Sequence, residues 1–552
     1  MTVLNCQDGG PLTVLVSSRA VLTLPDGSLV LSPASIEISR LTGKIVAVVP
    51  ELRPASDYPP GTTTYVDHSP RLLLPGLVDA HVHLNEPGRT EWEGFWTGTR
   101  AAASGGVTTV VDMPLNAIPP TTTLRGFEEK LAASRGQCWV DVGFYGGVIP
   151  GNAAELRPLV EAGVRGFKGF LIESGVDEFP AVSAADVALA METLKDEPTT
   201  LMFHAEMIPP ITESVGDAVQ ASDPPLAPAG DVTAYSTFLL SRPPSFETYA
   251  IEEILAHAHI APDLHLHIVH LSATDAIPIL RAARRRGVNI TAETCFHYLG
   301  LAAEDIDAGD TRHKCCPPIR EASNRDGLWA ELLAADSCIR TVVSDHSPCT
   351  PQLKLLPAHL ERPAVPHLDS GLDLKTQKAA VAVAVEEVRE TDEKEKENGE
   401  EDPSRMLPLR NKARANRGDF FAAWGGISSV GLGLPILHTE SLRRASGLSI
   451  LDIVRLCCQA TARQVGLAHR KGALSPGMDA DVCVFDDAHA WSLSQGHMRW
   501  KNRCSPWQGR EFTGRVVETW LRGKKVFELG GEGDGFLNEK PHGEPITERR
   551  VI

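Results

Sequence analysis

The stretch Leu74–His83, with the sequence Leu-Pro-Gly-Leu-Val-Asp-Ala-His-Val-His, is an apolar run that ends in two histidines. Side chains two positions apart in a β-strand point to the same face of the sheet. His81 and His83 therefore form a candidate metal-ligand pair at the end of a strand. This spacing is common on its own, so its meaning depends on whether later strands also end in ligands.

Strand and helix patterns alternate from about residue 72 to residue 467, with a helical pattern such as Phe246–Ala256 between strand-like runs. The strand-like runs include Thr108–Asp112, Val164–Lys168, Thr200–His204, Leu264–His270 and Arg340–Asp345. This alternation predicts an α/β fold, a (β/α)8 TIM-like barrel. The alternative is a doubly wound open sheet, which usually has a glycine-rich loop where this chain has His81-Val82-His83.

Short strand patterns at both ends of the chain predict a small β-sandwich domain built from both termini. We expect residues 1–70 to form its N-terminal part and residues 468–552 its C-terminal part and a tail. Residues 71–467 would then form the inserted barrel. Residues 386–402 are acidic and nearly free of apolar side chains, which predicts a disordered surface insert.

The overall composition narrows the possible functions. The chain has 552 residues, of which 42% are hydrophobic, and this is enough for a sizeable core. A net charge of −18 argues against nucleic acid and against an anionic membrane surface as partners. No apolar run is long enough to span a bilayer.

The cysteines and the ends of the chain predict a cytoplasmic protein. Eleven cysteines, with adjacent pairs at 315–316 and 457–458, do not resemble a secreted disulfide framework. We therefore expect reduced thiols. The N-terminus lacks the basic start of a signal peptide, and the C-terminus is not the peroxisomal tripeptide.

Five strand-like segments carry a potential ligand at their C-terminal ends. These ligands are His81 with His83, Lys168, His204, His270 and Asp345. Strand ends of a barrel converge at one mouth, so the joint pattern predicts one site. Each residue alone also has a purely structural explanation, such as a hydrogen-bonded histidine or a turn aspartate.

Lys168 fits this set if it is carboxylated. A protonated ammonium cannot bind a cation, but a neutral buried lysine can add carbon dioxide and become an anionic carbamate that bridges two metals. With two Zn²⁺ ions, the carbamate, Asp345 and a bridging hydroxide leave a charge that suits a developing oxyanion. The alternative is an ordinary salt bridge of Lys168.

Other histidines are weaker candidates. His265 and His267 have opposite parity to His270 and should face the other way. His257 and His259 belong to a helix and its exit and are expected at the surface. For His297 two possibilities stay open, because it either lines a pocket or packs in the core.

The combined motifs resemble the cyclic amidohydrolases of the amidohydrolase superfamily over nearly the whole chain. The resemblance implies a binuclear zinc site on N6-carboxylated Lys168, with His81, His83, His204, His270 and Asp345 as the other ligands. It rests on His81-Val82-His83, Gly166-Phe167-Lys168, Phe203-His204-Ala205-Glu206, Val269–Ser272 and Ser344–Cys349.

Departures from the branches of this family favour its allantoin-hydrolysing branch. Dihydroorotases carry a substrate-binding arginine where this chain has Asn85, so the charge that a carboxylate needs is missing. Hydantoinases and dihydropyrimidinases carry a tyrosine where this chain has Glu173. Segments that resemble allantoinases are Trp92–Gly94, Met113–Asn116, Lys314–Arg320, Ser344–Cys349 and Ala423–Ile427.

The resemblance implies hydrolysis of allantoin to allantoate by a metal-bridging hydroxide, with Asp345 as general base and acid. It also implies a homotetramer, and the acidic insert suggests a fungal version. The residues expected to orient the substrate are Asn116, Cys316, Pro317, His346, Ser347 and Gly426. The alternatives are activity on another cyclic amide or a non-catalytic scaffold of the dihydropyrimidinase-related kind. Cobalt, manganese or iron would also suit these ligands.

Overall fold

The computed structural model describes residues 10–209, 228–361, 417–445, 447–536 and 540–550. The acidic insert predicted at residues 386–402 lies outside the described residues. The strands in chain order are β1 (Leu12–Thr23), β2 (Leu29–Ser39), β3 (Ile45–Val49), β4 (Thr63–Asp67), β5 (Leu72–Pro75), β6 (Leu77–Val82), β7 (Val107–Asp112), β8 (Asp141–Phe144), β9 (Gly146–Gly147), β10 (Phe167–Phe170), β11 (Thr200–His204), β12 (His265–Ile268), β13 (Ile290–Cys295), β14 (Ile339–Val343), β15 (Val482–Ser492), β16 (Glu511–Leu521) and β17 (Lys524–Glu528).

Helices follow most of the central strands. They are α1 (Phe95–Ser104), α2 (Leu124–Ser134), α3 (Ala153–Glu161), α4 (Ala184–Leu194), α5 (Tyr235–Leu240), α6 (Pro244–His257), α7 (Ile277–Arg285), α8 (Phe296–Gly300), α9 (Ala322–Leu333), α10 (Ala358–Glu361), α11 (Gly433–Arg444), α12 (Ile450–Val454) and α13 (Ala460–Gln464), and a π-helical turn at Arg455–Gln459 joins the last two. Capping residues in the sequence explain where some helices begin. For example, α4 begins after Ser183, whose hydroxyl accepts a hydrogen bond from the backbone N–H of Asp186 in a capping box.

The central strands form a closed parallel barrel. β6, β7 and β8 pair in parallel, and β9 to β14 form a second parallel set. Only Tyr145 separates β8 from β9, and the backbone N–H of Arg165 donates to Phe144 O at 2.7 Å, which connects the two sets. At the other seam the N–H of His83 donates to His346 O at 2.8 Å. With β8 and β9 counted as one strand, this is the predicted (β/α)8 barrel.

The barrel strands are buried along most of their length because both of their faces are covered. Every residue of β6 and β7 is buried. Strands enclosed by side chains inside and by helices outside favour continuous apolar runs over alternation. A polar residue in such a strand needs a buried partner, so the few that occur mark places with another role.

Strands from both ends of the chain share one sheet, as predicted for the terminal β domain. Its order is β17-β16-β15-β5-β1-β2-β3, and β4 also pairs with β1. β5 is antiparallel to β15, with Leu74 opposite Cys483, and parallel to β1. Leu15, Ile36, Val484 and Trp520 belong to the core of this sheet.

A buried ion cluster joins the terminal sheet to the barrel. The Nζ of Lys471 lies 2.6 Å from Asp141 Oδ2 at the start of β8, 2.7 Å from Asp481 Oδ2 and 3.0 Å from Asp479 Oδ2. The Lys471 side chain is fully buried. One cation thus holds three carboxylates that come from both units.

The C-terminal tail crosses the barrel. The backbone N–H of Ile546 donates to Val142 O at 2.7 Å. The guanidinium of Arg550 donates to Arg165 O at 2.7 Å and to Thr200 Oγ1 at 2.9 Å. Thr200 begins β11, so the tail reaches the N-terminal ends of the barrel strands.

Candidate metal centre and active site

The six predicted ligands meet at the C-terminal mouth of the barrel. His81 and His83 flank the last residue of β6, Lys168 lies in β10, and His204 ends β11. His270 and Asp345 each follow a strand by two residues, after β12 and β14. All six side chains are buried.

His81, His83 and Asp345 form the first part of the cluster. Asp345 Oδ1 lies 3.2 Å from His81 Nε2 and 3.5 Å from His83 Nε2. One potential ligand atom from each of the three residues lies within 4.8 Å of the others, a grouping that could hold a metal ion.

The other three residues adjoin this group. His204 Nδ1 and His270 Nε2 are 3.1 Å apart, and Lys168 Nζ lies 3.3 Å from His81 Nε2. The ring centroids of His81 and His270 are 5.5 Å apart. Lys168 thus adjoins His81, and its charge also acts on His204 and His270.

Burial sets the protonation of the cluster. It is the main cause that lowers the pKa of His81, His83, His204 and His270, so the imidazoles are neutral. A neutral imidazole has the free lone pair that a metal ion needs. Nδ1 of His270 is buried without a hydrogen-bond partner among the described residues.

The surroundings of Lys168 shift its amine towards the neutral form that carboxylation requires. Burial lowers the pKa of Lys168 to about 8, so a fraction of the amine is neutral near pH 7. Within the described part of the chain, Nζ makes no ion pair at 4.0 Å or less. This geometry disfavours the ordinary salt bridge and leaves the amine free to react.

Asp345 is ionised in spite of its burial. Burial raises the pKa of Asp345, but the hydrogen bond to His83 and the charge of Lys168 help to outweigh it, so the pKa lies below its ordinary value. The backbone φ angles of His270 and Asp345 are 39° and 43°. Such left-handed residues cost about 1–3 kcal/mol each and concentrate at functional sites, where surrounding packing enforces them.

Glu293 of β13 supports His81 from inside the barrel, and sequence reasoning missed it. Its Oε1 lies 2.5 Å from His81 Nδ1, and its Oε2 lies 3.1 Å from His267 Nε2. An ionised carboxylate only accepts, so His81 donates from Nδ1 and directs the lone pair of Nε2 towards Lys168 and Asp345. The available signal was a glutamate within Ile290–Cys295, a run rich in β-branched residues that favours a strand.

His204 has a similar partner in Glu206. Glu206 Oε2 lies 2.8 Å from His204 Nε2 and accepts from the Arg242 guanidinium at 2.6 Å. Burial raises the pKa of Glu206, but Arg242 and His204 outweigh it and bring the pKa to about 2. Arg242 itself lines the cavity above the cluster. Sequence reasoning missed this arginine because it precedes α6 without any motif.

A cavity of about 340 Å³ opens above the cluster. Of the predicted substrate-orienting residues, Asn116, Cys316, Ser347 and Gly426 line it. The φ of Gly426 is 136°, and a Cβ at this position would lie 2.1 Å from Ser347 O, so a glycine is required.

The structure places Pro317 and His346 outside the lining of this cavity. The carbonyl of Pro317 accepts from the Tyr298 hydroxyl at 2.7 Å. His346 is fully buried, with Nδ1 3.1 Å from the N–H of Ser429 and Nε2 3.3 Å from Glu93 Oε2. Both residues support the cavity wall from behind.

The remaining histidines that the sequence offered as candidates do not belong to the cluster. The prediction that His265 and His267 face away from the cluster is wrong. Both contact Thr291 Oγ1 at 2.7 Å inside the barrel, below the cluster, and the strand that carries them ends at Ile268, so strand parity does not extend to His270. His257 and His259 lie close to helix carbonyls at 2.9 Å. His297 is fully buried against Tyr298 and is not among the residues that line the cavity.

The two positions that distinguish the family branches also have defined places. Asn85 is buried, and its Nδ2 donates to Pro348 O at 3.3 Å. This side chain is neutral, so it offers no positive charge to a substrate carboxylate. Glu173 lines the cavity and is exposed. A phenol is absent from that position.

The chain belongs to the amidohydrolase family. The pattern of this family matches residues 72–312 and 426–526, which include the four clustered histidines and Lys168, while Asp345 lies between the two matched segments. The chain is 45% identical over 547 residues to the allantoinase of Saccharomyces cerevisiae, with 98% of this chain and 100% of that protein covered. It is 39% identical to the allantoinase of Streptomyces avermitilis, with 94% and 96% covered.

Solved structures show the same fold at lower identity. The L-hydantoinase of Arthrobacter aurescens superposes with a TM-score of 0.75 at 24% identity, with 97% of this chain and 99% of that chain covered. The dihydropyrimidinase of Brevibacillus agri gives a TM-score of 0.73 at 22% identity, with 98% and 99% covered. This likeness shows the fold alone.

Proposed function

We propose that this protein is an allantoinase, which opens the hydantoin ring of allantoin by hydrolysis to give allantoate. The observation that carries the proposal is full-length similarity to allantoinases at up to 45% identity, with a buried His, Lys and Asp cluster at the barrel mouth. The chain is thus a hydrolase of cyclic amides, and its substrate is a small molecule.

The cluster suits two divalent metal ions, which we propose to be zinc. Four neutral imidazoles, one ionised carboxylate and a lysine with a lowered pKa form a donor set typical of such sites. His81, His83 and Asp345 would hold one ion, His204 and His270 the other, and carboxylated Lys168 would bridge them. When bound, the ions would supply Lewis acidity that activates water and polarises the ring carbonyl.

Asp345 is the proposed proton carrier. Its lowered pKa keeps the carboxylate ready to accept the proton of the water that attacks the ring carbonyl. The same carboxyl group can then donate that proton to the ring nitrogen that leaves. Burial of Asp345 at the floor of the cavity keeps bulk water from competing for this transfer.

The cavity suits a small polar substrate. Its 340 Å³ is at the lower end for small-molecule sites, and its lining combines aromatic rings with polar groups. We propose that Asn116, Ser347 and Gly426 orient the ring, with the Cys316-Pro317 backbone and His346 shaping the wall. The cavity also contains Arg242 and Lys314, whose charges are directed to protein acceptors.

A substrate panel tests the proposal. The metal-loaded protein should release allantoate from allantoin with a kcat/KM well above that for hydantoin, dihydrouracil or dihydroorotate. A preference for dihydroorotate would point to the dihydroorotase alternative. Failure on all four compounds would favour a non-catalytic scaffold.

We also propose that the protein is a cytoplasmic homotetramer. All ten cysteines that the structure describes are free thiols, which suits a reducing compartment. None of the helices that the structure describes is long and apolar enough to cross a membrane. The mass in solution and the location of a tagged protein would test the two parts of this proposal separately.

A further inference from the structure

A second cavity lies at the opposite end of the barrel from the candidate active site. Its volume is about 660 Å³, and its lining includes Thr199, His265, Thr291 and Arg340, which lie at the N-terminal ends of β11 to β14. It shares no lining residue with the cavity above the metal cluster.

Arginines dominate the charge of this second cavity. Arg284, Arg340, Arg455, Arg463 and Arg550 line it, against the carboxylates of Glu197 and Asp263. Glu197 lies 3.6 Å from the guanidinium groups of both Arg157 and Arg549, so its charge is shared with other arginines. This cavity therefore carries an excess of positive charge, although the chain as a whole has a net charge of −18.

Most of these guanidinium groups form no ion pair with a carboxylate. Arg284 donates to Ile290 O at 2.6 Å, and Arg550 donates to a carbonyl and to a hydroxyl. Arg455 lies 3.1 Å from Asp452. Arg340 and Arg463 are exposed at the mouth of the cavity, and within the described ranges their guanidinium groups have no protein hydrogen-bond or ion-pair partner.

The arginines come from separate elements and act on each other. Arg284 is in the last turn of α7, Arg340 is in β14, Arg455 begins the π-helical turn, Arg463 is in α13, and Arg550 is in the tail. Burial lowers the pKa of Arg340, and the charges of Arg284 and Arg455 lower it further. Like charges that converge in this way repel each other, and an anion between them removes the repulsion.

We propose that this cavity is a binding site for a small molecule that carries a multiply charged phosphate group. Guanidinium groups match phosphate oxygens with two parallel hydrogen bonds, and several of them around one cavity select a multivalent anion. The volume is within the range of small-molecule sites. The site is non-catalytic, since chemistry in such barrels occurs at the other end of the strands.

Calorimetric titration of the full-length, metal-loaded protein tests this site. The probes are inorganic phosphate and glycerol 3-phosphate, with sodium chloride at matched ionic strength as the blank. We expect saturable binding of one anion per chain. Tighter binding of the ester identifies an organic phosphate as the ligand, and equal binding identifies the free ion.

The double variant Arg340→Gln/Arg463→Gln should bind phosphate more weakly, with a dissociation constant at least tenfold higher than that of the wild type. These exposed side chains have no hydrogen-bond or ion-pair partner among the described residues, so the variant should fold and its allantoin turnover without phosphate should stay at the wild-type value. The matched control is Arg285→Gln/Arg286→Gln, which removes the same charge beside the cavity from exposed residues outside its lining. The control should bind phosphate as the wild type does.

Three results would overturn the proposal. One is the absence of saturable binding by the wild type. The second is the same dissociation constant in the double variant and in the control, which would place the anion elsewhere. The third is a changed oligomer mass in the Arg340/Arg463 variant without a change in phosphate binding, which would make the arginines part of a subunit interface.

Discussion

Glu293→Gln is the change that tests most sharply how the barrel interior supports the metal site. The substitution keeps the size of a fully buried side chain and removes its charge. The carboxylate now accepts from His81 Nδ1 at 2.5 Å and from His267 Nε2 at 3.1 Å. An amide has one acceptor oxygen, so one histidine must face an NH₂ group instead.

The expected size follows from this contact. A hydrogen bond to a charged group contributes about 1.5–3 kcal/mol and a neutral one about 1 kcal/mol, so the loss is about 1.5 kcal/mol. That energy corresponds to about tenfold weaker metal binding. Loss of the hydrogen-bond partner of a metal-binding histidine typically lowers metal affinity by about 10- to 100-fold, so the expected effect is within that range. His81 loses the preference for its Nδ1–H tautomer, and its Nε2 lone pair is less available.

Competition with a chelator measures this loss directly. Glu331→Gln is the matched control, because Glu331 is also buried and lies 2.6 Å from Arg281, but on α9 at the outside of the barrel. The control should lower the unfolding midpoint and leave metal affinity unchanged. Equal metal affinity in Glu293→Gln and the wild type, with both proteins folded, would refute the assigned role of Glu293.

Two further predictions concern buried lysines. Lys168→Ala should abolish allantoin hydrolysis, and acetate or propionate should restore part of it by supplying the missing bridging carboxylate; full activity without rescue would contradict the bridge. Lys471→Met should lower the free energy of unfolding by about 3–5 kcal/mol at pH 7, because the buried Asp481 loses its cation. Asp141 and Asp479 lose their buried partner and keep only more exposed ones. Burial raises the pKa of Asp479, but Lys471 and Lys44 outweigh it and hold that pKa below its ordinary value. The stability from this pairing is therefore present above about pH 4 and is lost as the pH falls below it, so the deficit of the variant should shrink in acid. Urea unfolding at pH 7 and pH 3.5 measures both values, and a deficit that grows in acid would contradict the sign.

Much of the site was predictable because its residues follow strand ends. His81, His204 and Asp345 each come at the end of an apolar run, and strand ends of a barrel meet at one mouth. The same logic predicted the closed barrel, and β patterns at both ends predicted the shared sheet. These features depend on local periodicity, which a sequence displays directly.

Contacts between distant strands were not predictable in this way. Glu293 and His81 are 212 positions apart in the sequence, and no sequence motif indicates that their side chains form a hydrogen bond. Parity wrongly directed His265 and His267 away from the barrel interior, because β12 ends before His270. Their shared contact with Thr291 depends on the register of β12 against β13. The tail that carries Arg550 to the barrel has no pattern that indicates where it lies.

Allantoate release from allantoin by the purified, metal-loaded protein tests the central claim most directly. Parallel metal analysis should find close to two zinc-like ions per chain. We predict that allantoin is the preferred substrate and that chelation abolishes its turnover. Full activity of a metal-free protein, or no allantoate from a protein that holds two ions, would contradict the account.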